Sequence, residues 1–225
     1  MMMEHLDTLS TMLEQQADKS KAIGMEKYMK DNFMYLGVSS VPRKVIFRQW
    51  KSLLPKDLSA IQRWDVVREL WEKEAREYQY IAVDWVNSWP NSWIIASDIS
   101  EIKFILENKS WWDSVDLLAS NILGKYAKKF PKEMDMVIKS WQDESSIWLH
   151  RSCLIYQLKY KETVDLDRLS YLIACYKSNK TFFIQKAIGW SLREVSKWNP
   201  DWVRKTVGFH ELKGLAHREA MKYVK

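Results

Sequence analysis

Apolar residues recur along this chain at spacings of three and four, and alternating patterns are scarce, so the chain reads as amphipathic helices rather than strands. The pattern predicts helices over 6–16, 21–32, 42–53, 61–71, 74–89, 97–107, 111–129, 132–141, 147–159, 167–176, 181–197 and 200–209, with a last basic helix from 216 onward. Turn residues punctuate them. Gly37 is the expected stop after the second helix, Pro42 suits an early helical position behind Ser40, and Pro90 and Pro131 follow helix ends. Met25, Tyr28 and Met29 fall on the apolar side of the second helix. No composition shift or linker interrupts the series, so residues 1–225 read as a single all-α domain.

Laid over one another, the helices show a repeat. The segments YQYIA, DSVDL, WLHRS and FIQKA begin at positions 78, 113, 148 and 183, in steps of 35. A period of that length with two helices per unit predicts a curved α-solenoid of about six HEAT-like antiparallel helix pairs, each burying its apolar face on its neighbours. The fourth position of each unit is Ile81, Asp116, Arg151 and Lys186, and stacking brings such equivalent positions into register. Lys186 shares a helix face with Trp190, Arg193 and Lys197, whereas Ile184, Ala187, Ile188, Leu192 and Val195 form the opposite, apolar face. Trp112, Asp116, Arg151, Lys186, Trp190 and Arg193 are thus expected on one wall, lining a concave basic groove. Cations there suit phosphates, and aromatic faces suit bases or sugars.

The stretch KSWWDSVD at 109–116 holds the candidate chemistry. Ser110 is placed to cap the helix, and Asp113 three residues on completes a capping box. Asp116 has no such duty and lies one turn beyond Trp112 on the same face. Each residue has a blander reading. Arg151 suits a buried salt bridge to Asp113 or Asp116, Trp190 suits the core, and Tyr28 suits half-buried packing.

Composition narrows the function classes. The formal charge of +6 favours nucleic acid or another acidic partner. Thirteen tryptophans exceed what helix packing ordinarily needs, which leaves either capacious inter-helix packing or a stacking surface. Cys153 and Cys175 both sit in apolar helical text and read as small buried thiols. The histidines are scattered and no HExxH, CxxC or phosphate-binding glycine loop occurs, so no metal or cofactor is expected. No apolar run long enough to span a bilayer and no secretory leader is seen, so the expected location is cytoplasmic, with no membrane partner. Periodicity by itself supports a basic helical-repeat domain that binds nucleic acid or an acidic protein, rather than an enzyme.

The motifs add a resemblance. KSWWDSVD at 109–116 resembles the signature of the AlkD-type DNA glycosylases, the DNA alkylation repair family built from HEAT-like repeats. The likeness extends to MEKYMK at 25–30, REYQ at 76–79, IWLHR at 147–151, QLKYK at 157–161, FFIQKAIGWSLRE at 182–194 and HREAMK at 217–222. The resemblance implies a monomeric, cofactor-free, monofunctional glycosylase that hydrolyses the N-glycosidic bond of cationic N3- and N7-alkylpurines in duplex DNA without base flipping. It implies Asp116 as the catalytic carboxylate, with Trp112 and Trp190 flanking the deoxyribose. Tyr28, Arg43, Arg151, Lys186 and Arg193 are the implied DNA contacts. Two departures stand out. The Val41-Pro42-Arg43 corner carries its proline one place late without the usual acidic residue, and His150 stands where glutamine or arginine is common. The alternative is a noncatalytic HEAT-like module that binds unusual DNA structures or a protein.

Overall fold

A computed structural model describes residues 2–224, so Met1 and Lys225 of the 1–225 span lie outside the described residues. Every regular element among the described residues is helical. The chain divides into two compact units, Met1–Trp93 and Ile94–Lys225.

The first unit contains α1 (Met2–Glu14), α2 (Lys19–Tyr28), α3 (Ser40–Leu53), α4 (Ala60–Glu72) and α5 (Arg76–Asn87). Helix α3 packs on α1 and α5, and α4 on α5. Its core explains much of the tryptophan excess. Trp85 meets Trp50, Trp89 and Trp93 edge-on at centroid distances of 6.2, 6.0 and 6.0 Å, and Trp64 meets Trp89 at 4.8 Å. Edge-to-face indoles place positive ring edges on negative faces, worth about 0.5–1.5 kcal/mol per pair beyond burial. Arg63 closes this cluster, its guanidinium 4.6 Å from the Trp93 centroid and donating to the carbonyls of Leu58 and Trp93.

Gly37 does not stop α2. That helix ends at Tyr28, and Lys30 and Asp31 take positive φ directly after it. Gly37 instead belongs to an irregular stretch held by Glu77, a fully buried carboxylate on α5 that accepts from the backbone N–H groups of Leu36, Gly37 and Val38 at 2.9–3.0 Å. With φ of +87°, and with the Asp18 carbonyl oxygen 2.0 Å from where a Cβ would sit, position 37 accepts only glycine.

The second unit contains α6 (Ile99–Glu107), α7 (Trp112–Leu118), α8 (Gly124–Lys129), α9 (Pro131–Gln142), α10 (Ile147–Ile155), α11 (Leu166–Tyr176), α12 (Phe182–Ser196), α13 (Pro200–Phe209) and α14 (Gly214–Ala220). The continuous helix expected over 111–129 is interrupted by a π turn at Ala119–Leu123, where the N–H of Gly124 reaches the Ala119 carbonyl. The wider turn resets the phase of the apolar face, with Val115 and Leu118 buried before it and Ile122, Leu123 and Tyr126 buried after it. The helix expected over 147–159 ends at Ile155. Helices α7, α10, α12 and α14 pack in that order, each on the next, so equivalent repeat positions become neighbours. The expected apolar face of α12 is fully formed: Ile184, Ala187, Ile188, Leu192 and Val195 are all buried.

Candidate active site

Arg151 is buried, yet its charge is fully engaged. Its Nε donates to Asp116 Oδ1 at 2.7 Å, its Nη2 to Asp116 Oδ2 at 2.8 Å, and its Nη1 to the Phe183 carbonyl at 2.6 Å. One guanidinium therefore ties α7, α10 and α12 together. The fork geometry of arginine matches both carboxylate oxygens at once, which a lysine would not do. Asp116 and Arg151 are fourth positions of successive units, and their 35-residue separation is the repeat expressed as a bond.

The Asp116 carboxylate retains 15% of its surface, against 3% for Arg151, so it opens toward solvent while its partner does not. Burial pushes the Asp116 carboxyl above the ordinary aspartate range, the Arg151 hydrogen bonds and charge oppose this, and Asp113 adds a push upward. Ser120 on the π turn donates to the Asp116 carbonyl at 2.7 Å, which fixes the backbone behind the carboxylate.

The capping box expected at Ser110 does not form. Ser110 Oγ donates to the Leu106 carbonyl at 2.7 Å, the helix begins after Trp111, and no side chain caps it. The competing bond to the carbonyl four residues back takes the hydroxyl away from the new helix. Lys109 turns the chain between the two helices with φ of +48°.

Trp112 and Trp190 are both partly exposed, on α7 and α12 respectively. Trp112 lies one turn before Asp116. Lys186, also on α12, donates to Glu219 of α14 at 2.7 Å, and Arg193 forms an ion pair with the same carboxylate. In the first unit, Tyr28 is 68% exposed at the end of α2, more open than the half-buried packing reading expects. Arg43 lays its guanidinium 4.2 Å from the Tyr80 centroid. The shifted Pro42 is accommodated in the first turn of α3. His150, which departs from the motif, packs its ring tilted against Tyr176 with centroids 4.7 Å apart. Cys153 is buried, its thiol pushed up to about 12 by desolvation, but Cys175 is exposed, so the buried reading fails there because 175 falls on the outer face of α11.

Sequence reasoning missed the packing behind the pair. Trp111, Trp148 and Phe183 form a mutual aromatic cluster with centroid distances of 4.9–5.6 Å, and the Arg151 guanidinium lies 5.8 Å from the Phe183 ring. The signal was available, since Trp148 and Phe183 are first positions of successive 35-residue units. Among the described residues no group of three or more His, Cys, Asp or Glu side chains could hold a metal ion, and no helix is long and apolar enough to cross a membrane.

Comparison with known proteins points to one family. A family model described as DNA alkylation repair enzyme matches residues 9–224. A solved structure described as a predicted DNA alkylation repair enzyme from Enterococcus faecalis is similar at 31% identity and a TM-score of 0.83, covering 93% of this chain and 97% of that one. No curated protein matches. With nearly its whole length matched, the chain belongs to the DNA alkylation repair enzyme family.

Proposed function

We propose that this protein is a monofunctional DNA glycosylase that releases cationic N3- and N7-alkylpurines from duplex DNA. The observation that carries the reading is the largely buried Asp116 carboxylate, open to solvent over a small part of its surface and held by both oxygens on a buried arginine. Alkylation at N3 or N7 leaves the purine positively charged, so the base departs as a neutral molecule with the electrons of the C1′–N bond. The sugar is left with oxocarbenium character. An anion beside it stabilises that charge and orients the attacking water, whose oxygen bonds C1′ while its proton passes to the carboxylate or to solvent.

In this reading Arg151 has two effects. Its hydrogen bonds and charge favour the ionised form of Asp116 against burial, which favours the acid, and it fixes the direction of the carboxylate. The faces of Trp112 and Trp190 add electrostatic attraction for a cationic sugar. Tyr28, Arg43, Lys186 and Arg193 contact the backbone, and the base stays in the duplex, so bulky adducts are tolerated. The protein acts as a monomer without a cofactor.

The test is release of N7-methylguanine from a duplex oligonucleotide carrying one such lesion, compared with uncatalysed depurination. Asp116→Asn is expected to slow release by about 100-fold or more, roughly 3 kcal/mol of transition-state stabilisation. Equal release by both proteins at the uncatalysed rate, for this lesion and for N3-methyladenine, would reject the glycosylase reading in favour of a binding module.

A further inference from the structure

The run HREAMK at 217–222 has no role in the chemistry above, yet its glutamate, on α14, pairs with two cations of α12. Glu219 Oε1 accepts from Lys186 Nζ at 2.7 Å, and Oε2 pairs with Arg193 Nη1. Lys222 adds a third positive field. Lys186 and Arg193 lie one turn before and one turn after Trp190 on the same face of α12, so one carboxylate spans that indole.

The backbone is built for this approach. A Cβ at Gly189 would lie 2.5 Å from the Glu219 Cβ and 2.9 Å from the Ala216 carbonyl oxygen, so only glycine lets α14 come this close. Glu219 keeps 15% of its side-chain surface, Arg193 19% and Lys186 36%. The cations remain reachable from solvent while their inner sides are held.

We propose that Glu219 is an internal acid that stands in for a DNA backbone phosphate and competes with it for Lys186 and Arg193. In the free protein it holds Lys186 and Arg193 extended and converged on either side of Trp190. On binding, a backbone phosphate takes over their outward hydrogen bonds. A carboxylate and a phosphate present similar acceptor oxygens to ammonium and guanidinium groups, so the exchange needs little rearrangement. The internal acid also lowers the affinity of this face for undamaged DNA, because part of each cation's charge is already met. The inference rests on the DNA-binding part of the proposed function and not on its chemistry.

The experiment is binding of the full chain to an undamaged duplex over a series of salt concentrations, for wild type, Glu219→Gln and Glu219→Asp. Removing the internal charge should tighten binding at low salt about 3- to 10-fold and steepen the dependence of log K on log salt by about one phosphate contact. Glu219→Asp keeps the charge but shortens its reach, and should fall between the two. It also serves if Glu219→Gln fails to fold. If wild type binds with a clear salt slope and the folded variants match it or bind more weakly, Glu219 is only a structural ion pair and the inference is overturned. Salt-independent or absent binding by every protein would overturn this inference and the DNA-binding reading together.

Discussion

A carboxylate on this helix face is subject to two opposing forces. Burial favours the neutral acid, and the Arg151 fork favours the anion. In the proposed mechanism only the anion stabilises a cationic sugar, so activity is expected to fall as pH drops through the Asp116 pKa. Because that pKa lies above the ordinary aspartate value, the acid limb of the rate profile should lie above it as well. Single-turnover release of N7-methylguanine against pH, corrected for uncatalysed depurination, measures this. An acid limb at or below the ordinary aspartate value would contradict it. Arginine is needed for reasons beyond charge, since its planar donors meet Asp116 at two points and Phe183 at a third.

At the scale of elements, the site depends on how closely neighbouring helices approach. Helix α12 is the clearest case: its buried face anchors it, and Gly189 admits α14. Gly189→Ala would gain some helix propensity, but the added methyl has the Glu219 Cβ and the Ala216 backbone inside its contact distance. The expected net result is a loss of about 1–3 kcal/mol, seen as a lower urea midpoint at unchanged slope. A midpoint equal to or above wild type would mean that the two helices separate without cost. The π turn after Asp116 is a second element-scale device, since it lets one helix present the carboxylate in its first part and resume a differently phased apolar face in its second.

For the molecule as a whole, selectivity follows from where the charge is. Asp116, Trp112 and Trp190 are each partly open, and in the proposed mechanism they act on the sugar rather than on the edge of a base. Discrimination should therefore come from the leaving group. Duplexes carrying N7-methylguanine should be processed well above background, and a bulkier N7-alkylguanine comparably. Hypoxanthine or uracil, which leave poorly without a proton, should be released near the uncatalysed rate. Matched time courses on the three lesion types test this, and efficient uracil release would point to a proton donor aimed at the base. On the proposed function, the net charge of +6 would supply general attraction to the duplex in every case and no discrimination between lesions.

The sequence by itself determined the all-helical class, most helix boundaries and the apolar face of α12, because these follow from local periodicity and turn chemistry. Its 35-residue spacing also placed Asp116 and Arg151 at equivalent positions, and of the two carboxylates considered as partners for Arg151 it was the structure that selected Asp116. Tertiary structure decided what depends on partners distant in the chain. It took Ser110 from the helix cap to the Leu106 carbonyl, and it gave Gly37 to a clamp made by Glu77 instead of a helix end. It assigned five tryptophans to an edge-to-face cluster in the first unit and left Trp112 and Trp190 partly open in the second. It brought Glu219 onto Lys186 and Arg193 through a contact that glycine permits. Periodicity states which face of a helix is apolar, but not which polar side chain from another helix will meet the face that remains. That is fixed only when the backbones are close enough for a hydrogen bond to form.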